Sequence, residues 1–541
     1  MTTKRYYVTT PIYYVNDRPH IGHVYTTTVA DVLARYHRLK GEDVFFLTGV
    51  DEHAAKVSDA AAQRRLTPQQ WADQNAAVFQ ETFARLKMTN NDFVRTSQDR
   101  HKIKVQEYVA ALLKSGDVYV GEYEGWYDAG QEEYVTDSKA QEYQFKSPIN
   151  GKPLVRKKEK NYFFKLQAYR GELQQLFVAN PGFVQPDARR NEILNRIAEA
   201  VDVPISRTGT GGWGIPVPGD AEQTIYVWID ALFNYLTYVD TPERRPYWES
   251  GVTNLIAKDI LWFHAAIWPA LLLALRKCPG YEWVVLPKQV YAHSFWISEG
   301  QKMSKTLGNF IDLEKLDHYV NTFGLDALRW FLATQGPLGT TDGDFSEAKF
   351  IEVYNTDLAN TLGNCFARIS NMTQRYFVGK VPEAGANSAL TNLVFNVGTH
   401  TRLDIKGCAL VGLRQLQYGD PQGALSSAAC QGGILTTKGI DAYIETTQPF
   451  KLAKDPAKLP DVGTILYNCA EAMRIASVLL WPVIPHKSEE IWRRLGLDYA
   501  AQMAGNAGRG QLEEWCKWGQ LQPGTTIAQG DPLFPRYQPA K

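Results

Sequence analysis

The chain has 541 residues, 44% hydrophobic and 21% charged, and its 58 lysines and arginines balance 58 aspartates and glutamates. That size suits several domains, most simply three, with ordinary soluble cores, and the neutral balance leaves a nucleic-acid partner dependent on local basic surface. Six scattered cysteines without a CxxC exclude a disulfide framework and a thiolate zinc site, and with no apolar leader after Met1 the expected location is the cytoplasm.

Residues 5–10 (RYYVTT) have the aromatic and β-branched content of a buried strand. Apolar residues at Val29, Val32, Leu33, Tyr36 and Leu39 then recur with helical spacing, and Gly41 supplies the stop. A second strand follows at Asp43 to Gly49, which completes a right-handed βαβ unit with parallel strands. Ligands in such sheets sit beyond the carboxyl ends of the strands, where His20, His23 and Asp51 fall.

From 118 to about 222 short strands alternate with turns, and a Gly/Pro-rich exit closes the segment, as in an insertion. The α/β pattern resumes at Thr224, and Ile260–Leu275, broken by His264 and Pro269, reads as a buried helix rather than a bilayer span. Helical patterning then runs to about residue 500, with Leu358, Leu362, Cys365 and Ile369 as one apolar stripe. The expected fold class is α/β followed by all-α. A Rossmann-type catalytic domain occupies 1–117 and 224–344, split by a connective insertion at 118–223. A helical bundle spans 345–500, and an irregular tail wraps the surface over 501–541.

His20 and His23, three residues apart at a helix start, combine ring donors with the positive end of the helix, an anion site suited to a triphosphate. Two surface histidines beside Pro19 would look the same, but Gly22 between them permits close approach of a nucleotide. Lys302 and Lys305 flank Met303-Ser304 in a loop that could clamp departing pyrophosphate, with Met303 docking it when closed. Asp51 offers a carboxylate to an α-ammonium group, or else caps a helix. Trp228, Tyr235, Phe263 and Trp268 cluster around Asp230 and His264, either as plain core or as an aromatic pocket for a thioether.

At these residues the chain resembles the methionyl-tRNA synthetases, a class I family, over almost its whole length. The resemblance rests on Tyr7 to Asn16 with Pro19-His20-Ile21-Gly22-His23, Phe46-Leu47-Thr48-Gly49 with Asp51-Glu52-His53, Tyr226 to Ala231, Lys258-Asp259-Ile260, and Lys302 to Thr306. It implies formation of methionyl-adenylate from methionine and ATP with Mg²⁺, then transfer to the terminal adenosine of tRNA(Met). It further implies that His20, Gly22, His23, Lys258, Asp259 and Lys305 serve ATP, with Lys302 beside them in the catalytic loop. Ile12, Tyr14, Asp51, Trp228, Ala231, Tyr235, Phe263 and His264 would form the methionine pocket. Asn364, Arg368 and Phe450 would read the anticodon. Other class I enzymes share the two nucleotide motifs, so the intervening blocks are what select methionine.

Four departures qualify the resemblance. Where many members carry a zinc knuckle, this chain has Asp128, Gln131, Ser147 and Asn150, so no structural zinc is expected. Ala54 and Ala257 stand where glycine is usual, and Phe450 replaces a stacking tryptophan. Nothing resembles the C-terminal tRNA-binding and dimerising module of longer relatives, so a monomer without membrane association is expected. Two rivals are a synthetase for another apolar amino acid and a tRNA-binding relative without activity. The insertion is small for an editing domain, which disfavours the first, and retention of both histidines and both lysines disfavours the second.

Overall fold

A computed structural model describes residues 4–128, 133–135, 137–208, 212–304, 307–383, 385, 394–396, 402–404, 429–505 and 512–539. Its central layer is a six-stranded sheet formed by β1 (Arg5–Tyr14), β2 (Asp43–Asp51), β3 (Asp92–Arg95), β4 (Val184–Gln185), β5 (Val252–Ala257) and β6 (Gln289–His293). The strands lie in the order β3-β2-β1-β5-β6-β4, and every pairing is parallel. The chain builds outward from β1 to β3, then resumes on the other side with β5. The strand order therefore reverses between β1 and β5, and a crevice opens at their carboxyl ends.

β1 runs past its expected end at Thr10. Pro11 has no N–H to give the ladder, and the register with β2 slips between Thr9 and Ile12, so an irregularity absorbs the proline and the strand carries on to Tyr14. Helix α1 (Ile21–Leu39) likewise starts well before Val29. The intervening threonines hid it: Thr26, Thr27 and Thr28 are buried, and the first two donate their hydroxyls to Gly22 O at 3.1 Å and His23 O at 2.9 Å.

Between β3 and β5, where an insertion was expected, Glu133–Val135, Val118–Asp128, Val155–Phe164 and Val203–Pro204 form an antiparallel sheet in that order. β4 leaves this layer and pairs with β6 in the central sheet. After β6, Trp296–Ser298 and Gln301–Lys302 make a hairpin. The helical part contains Glu347–Val353, a π-helical stretch Tyr354–Gly363, Asn364–Phe377, Ala429–Thr447, Leu459–Leu480 and Pro485–Arg494. Leu358, Leu362, Cys365 and Ile369 are all fully buried there, as one stripe should be.

Two buried charge clusters join these parts. Asp31 of α1 receives Arg35 at 2.8 Å and Arg329 at 2.7 Å, while Arg329 also donates to Val483 O and Pro482 O, tying α1 to the bundle. In the helix Leu459–Leu480, Glu471 and Arg474 pair at 2.6 Å and hold the tail by its backbone. Glu471 accepts from the amides of Gly519, Gln520 and Leu521, and Arg474 donates to the carbonyls of Trp515 and Lys517. The tail is irregular after the short helices Tyr499–Gly505 and Leu512–Trp515, and it buries Leu521, Ile527, Leu533 and Phe534. Among the described residues no helix is long and apolar enough to cross a membrane.

Candidate active site

The crevice between β1 and β5 contains a cavity of about 680 Å³, within the size range of small-molecule sites. Each parallel strand around it delivers a wall residue at or just beyond its carboxyl end: Tyr14 at the end of β1 and His20 after it, Asp51 at the end of β2, Asp259 after β5, and His293 at the end of β6.

At the end of the cavity where a triphosphate was expected, His20 and His23 cap the start of α1 reciprocally. The Gly22 N–H donates to His20 Nδ1 at 3.1 Å, and the His20 N–H donates to His23 Nδ1 at 3.2 Å. Both Nδ1 atoms therefore carry lone pairs, which places the ring proton of each histidine on Nε2. Enclosure by protein atoms, more than the neighbouring His20, holds the His23 imidazole well below its ordinary pKa, so it donates as a neutral ring. Gly22 is a spatial requirement here: a Cβ at this position would meet His20 Cε1 at 2.9 Å. The room expected for an approaching nucleotide is thus first used by the ring of His20.

The second motif reaches the first through its downstream neighbours. Ser304 N–H donates to Asn309 Oδ1 at 2.8 Å, Phe310 sets its ring edge-on to His20 at 5.2 Å, and Ile21 N–H donates to Ile311 O at 3.1 Å. Met303 packs partly buried against the core, whereas Lys302 is exposed in the hairpin outside the cavity. Lys305 lies outside the described residues. Asp259 lines the cavity, but Lys258 directs its ammonium to Asp342 at 2.6 Å and over the Phe295 ring.

All eight residues expected around the amino acid line the other end: Ile12, Tyr14, Asp51, Trp228, Ala231, Tyr235, Phe263 and His264. Trp228 and Phe263 stack with centroids 3.9 Å apart and planes within 8°. Phe263 and His264 reach the wall from a π-helical turn, Phe263–Ile267, that interrupts the expected straight helix. Asp51 is buried and accepts the His53 N–H at 3.4 Å, but it is not the cap of the following helix Ala55–Gln63, whose N-cap is Ala54, with no side-chain bond. Trp268 and Asp230 lie in the core, away from the cavity.

His264 Nδ1 can only donate to Ile260 O at 2.9 Å, so its Nε2 accepts the Tyr235 hydroxyl at 2.7 Å. The same logic applies to His293, with Nδ1 donating to Ser294 O and Nε2 2.8 Å from the Thr26 hydroxyl, whose one proton is shared between this nitrogen and Gly22 O. Burial pushes both imidazoles down to about 4. An unfolded chain, with histidines near 6.5, binds more protons between these values, so their contribution to stability is full above 6.5 and is lost as pH falls toward 4. Thermal melts across that window are expected to show a falling melting temperature, and His264→Gln should flatten the fall. An identical acid slope in the variant would contradict this assignment.

Ala54 and Ala257 both have extended backbone (φ −65 and −86), which alanine adopts freely, so neither departure strains the site. Asp128, Ser147 and Asn150 offer a carboxylate, a hydroxyl and an amide, a set without the soft donors of a zinc knuckle, and Gln131 lies outside the described residues. Ser147 Oγ accepts from Ile149 N–H and Asn150 Oδ1 from Lys152 N–H, which are turn bonds. Asn364 is exposed and Arg368 half-buried in the bundle, neither lining the cavity, and Arg368 pairs with Asp441 at 2.9 Å and Glu445 at 2.6 Å. Phe450 is 39% exposed in the short helix Pro449–Leu452. Reading the motifs alone missed Thr26, Lys56, Arg196, Trp262, His293 and Phe310, all of which line the cavity or touch its residues. His293 was accessible to the strand-end rule once β6 was recognised.

The family of class I tRNA synthetases (M) matches residues 6–143 and 141–370 of the chain. A methionine-tRNA ligase of Streptomyces coelicolor is 39% identical over 553 residues, spanning 99% of this chain and 97% of its own. One from Thermotoga maritima is 38% identical over 537 residues, spanning 98% and 80%. Among solved structures, Mycobacterium tuberculosis methionyl-tRNA synthetase in complex with methionyl-adenylate is similar with a TM-score of 0.85 at 33% identity, covering 99% of this chain and all of that one.

Proposed function

Because the chain belongs to the class I tRNA synthetases of the methionine type, we propose a division of labour among its own residues. The activity is that of a methionine-tRNA ligase: methionine is activated with ATP to methionyl-adenylate and then passed to the 3′-terminal adenosine of tRNA(Met). The observation that carries the residue assignment is the single crevice in which a pair of imidazole donors faces a buried carboxylate and an aromatic wall.

MgATP binds as substrate with its phosphates toward the start of α1, where His20 and His23 offer Nε2–H donors beside the helix N-terminus. Asp51 takes the methionine ammonium in a charge-assisted hydrogen bond, and the thioether lies against Trp228, Phe263, Tyr235 and His264 with Ile12, Tyr14 and Ala231 around it. The substrate carboxylate then attacks the α-phosphorus in line, and pyrophosphate leaves. Positioning and charge stabilisation dominate such a step. Asp259 serves the nucleotide at the rim, and Lys258 acts beside it after exchanging Asp342 for a phosphate. Lys302 and Lys305 close over the leaving pyrophosphate, hinged on the Asn309–Ile311 contacts. The connective segment places the acceptor end of the tRNA, and Asn364, Arg368 and Phe450 read the anticodon, with the protein acting as a cytoplasmic monomer.

Pyrophosphate exchange assayed with each amino acid tests this reading. Exchange is expected with methionine alone among the standard amino acids, and Lys305→Ala should depress kcat by about 10²-fold with little change in KM. Full turnover in the variant would remove Lys305 from the mechanism.

A further inference from the structure

Behind the aromatic wall lies a buried cluster that the assigned chemistry does not use. Asp230 Oδ2 receives His53 Nδ1 at 2.6 Å, and its Oδ1 receives His101 Nε2 at 2.6 Å. The other nitrogen of His101 bonds the Thr237 hydroxyl at 2.8 Å. All of these side chains are buried, and none lines the cavity. Burial alone would push the Asp230 carboxyl up, but His53 and then His101 more than offset it and bring it down to about 2. An ionised carboxylate is therefore kept in the core by two imidazole donors, an arrangement costly to build without return.

The placement of the three residues shows what it joins. His53 stands two residues beyond Asp51, the group that meets the substrate ammonium. Asp230 and Thr237 belong to the helix Val227–Thr237, which presents Trp228, Ala231 and Tyr235 to the substrate side chain. His101 comes from the helix Asp99–Ser115 and grips the same helix at Asp230 and Thr237, one near its start and one at its end, which fixes both its rotation and its slide. Trp213 seals the assembly, with its ring edge-on to His53 at 5.2 Å and its Nε1–H donating to Glu52 O at 2.6 Å.

We propose that His53, Asp230 and His101 form a positioning clamp that sets the distance between the ammonium-binding carboxylate and the aromatic wall, and so acts as a ruler for the length of the amino acid. The inference rests on the assignment of the cavity to methionine. Of the two bonds to Asp230, the one from His53 ties the two ends of the substrate, so it carries most of the selectivity, while His101 keeps the helix from yielding.

The test is pyrophosphate exchange with methionine and with ethionine, one methylene longer, in the full-length protein. Asp230→Asn keeps the volume but can accept from only one imidazole. It is expected to raise KM for methionine about tenfold while leaving KM for ATP unchanged, and to narrow the preference for methionine over ethionine severalfold. His53→Ala should do the same. His53→Asn, whose amide nitrogen falls near the former Nδ1, should restore both parameters. Should Asp230→Asn fail to fold, the two His53 variants decide the matter. A lower melting temperature with unchanged KM and unchanged discrimination would reduce the cluster to scaffold and overturn the proposal. Absence of methionine-dependent exchange in the unmodified protein would instead sink the assignment of the cavity itself.

Discussion

His23→Ala is expected to slow methionine-dependent pyrophosphate exchange by about 10²–10³-fold, the usual loss when one preorganised donor is removed from developing charge. The ring proton of His23 sits on Nε2 because Nδ1 already accepts the His20 N–H, and the imidazole is neutral because its enclosure disfavours the cation. The donor is thus aimed before substrate arrives and needs no proton uptake. Alanine also removes half of the reciprocal cap, worth about 1 kcal/mol. Asparagine separates the two effects. Its Oδ1 can replace Nδ1 as acceptor for the His20 N–H, while nothing replaces Nε2–H. His23→Asn should therefore keep the melting temperature and lose the rate. Rates near the unmodified level in both variants would show that the phosphates are held elsewhere.

Glu471→Ala is expected to destabilise the protein by about 3–5 kcal/mol, the range found when one member of a buried ion pair is removed. Arg474 would be left as an uncompensated charge in the core of the bundle, and the amides of Gly519, Gln520 and Leu521 would lose their acceptor. The tail should respond first, because its backbone is held from both sides by this one pair. Urea unfolding gives the magnitude, and limited proteolysis gives the place: cleavage near residues 515–521 should appear in the variant under conditions where the unmodified protein is intact. Replacing Arg474 as well is not expected to restore stability, since the carbonyls of Trp515 and Lys517 would then lose their donor. A variant as stable as the original, with a protected tail, would contradict this account.

The residues that line the cavity were legible in the sequence to different depths, for physical reasons. His20, His23 and Asp51 sit at strand ends, where a βαβ pattern places ligands whatever their identity, so pattern alone located them. Trp228, Phe263 and His264 came from family resemblance, because an aromatic facing a cavity and one facing the core have the same periodicity; Trp268 turned out to be of the second kind. The π-helical turn at Phe263–Ile267 left no signal, since its widened turn depends on packing rather than on any one residue. The buried threonines concealed the start of α1 for the same reason that they stabilise it, by returning their hydroxyls to the backbone. Arg368 was expected, by resemblance, to read the anticodon; its two carboxylate partners lie more than seventy residues away, beyond any local pattern. The His53–Asp230–His101 cluster was invisible for that reason too: His53 and Asp230 stand in separate motifs, and His101 stands in none.

The strand Val184–Gln185 alters how the inserted segment can be handled. A segment that only left the parent sheet and returned to it could be exchanged between relatives as a cassette, or trimmed to a short linker. This one lends the parent sheet its outermost strand, and that strand lies directly against the one ending in His293. Excising the expected insertion, 118–223, would uncover a row of unpaired backbone groups one strand away from the crevice, an edge open to pairing with a second molecule. A workable graft would have to leave residues 183–186 with the host. The seam between parent and insert therefore runs through the middle of the inserted sequence, not at its two ends.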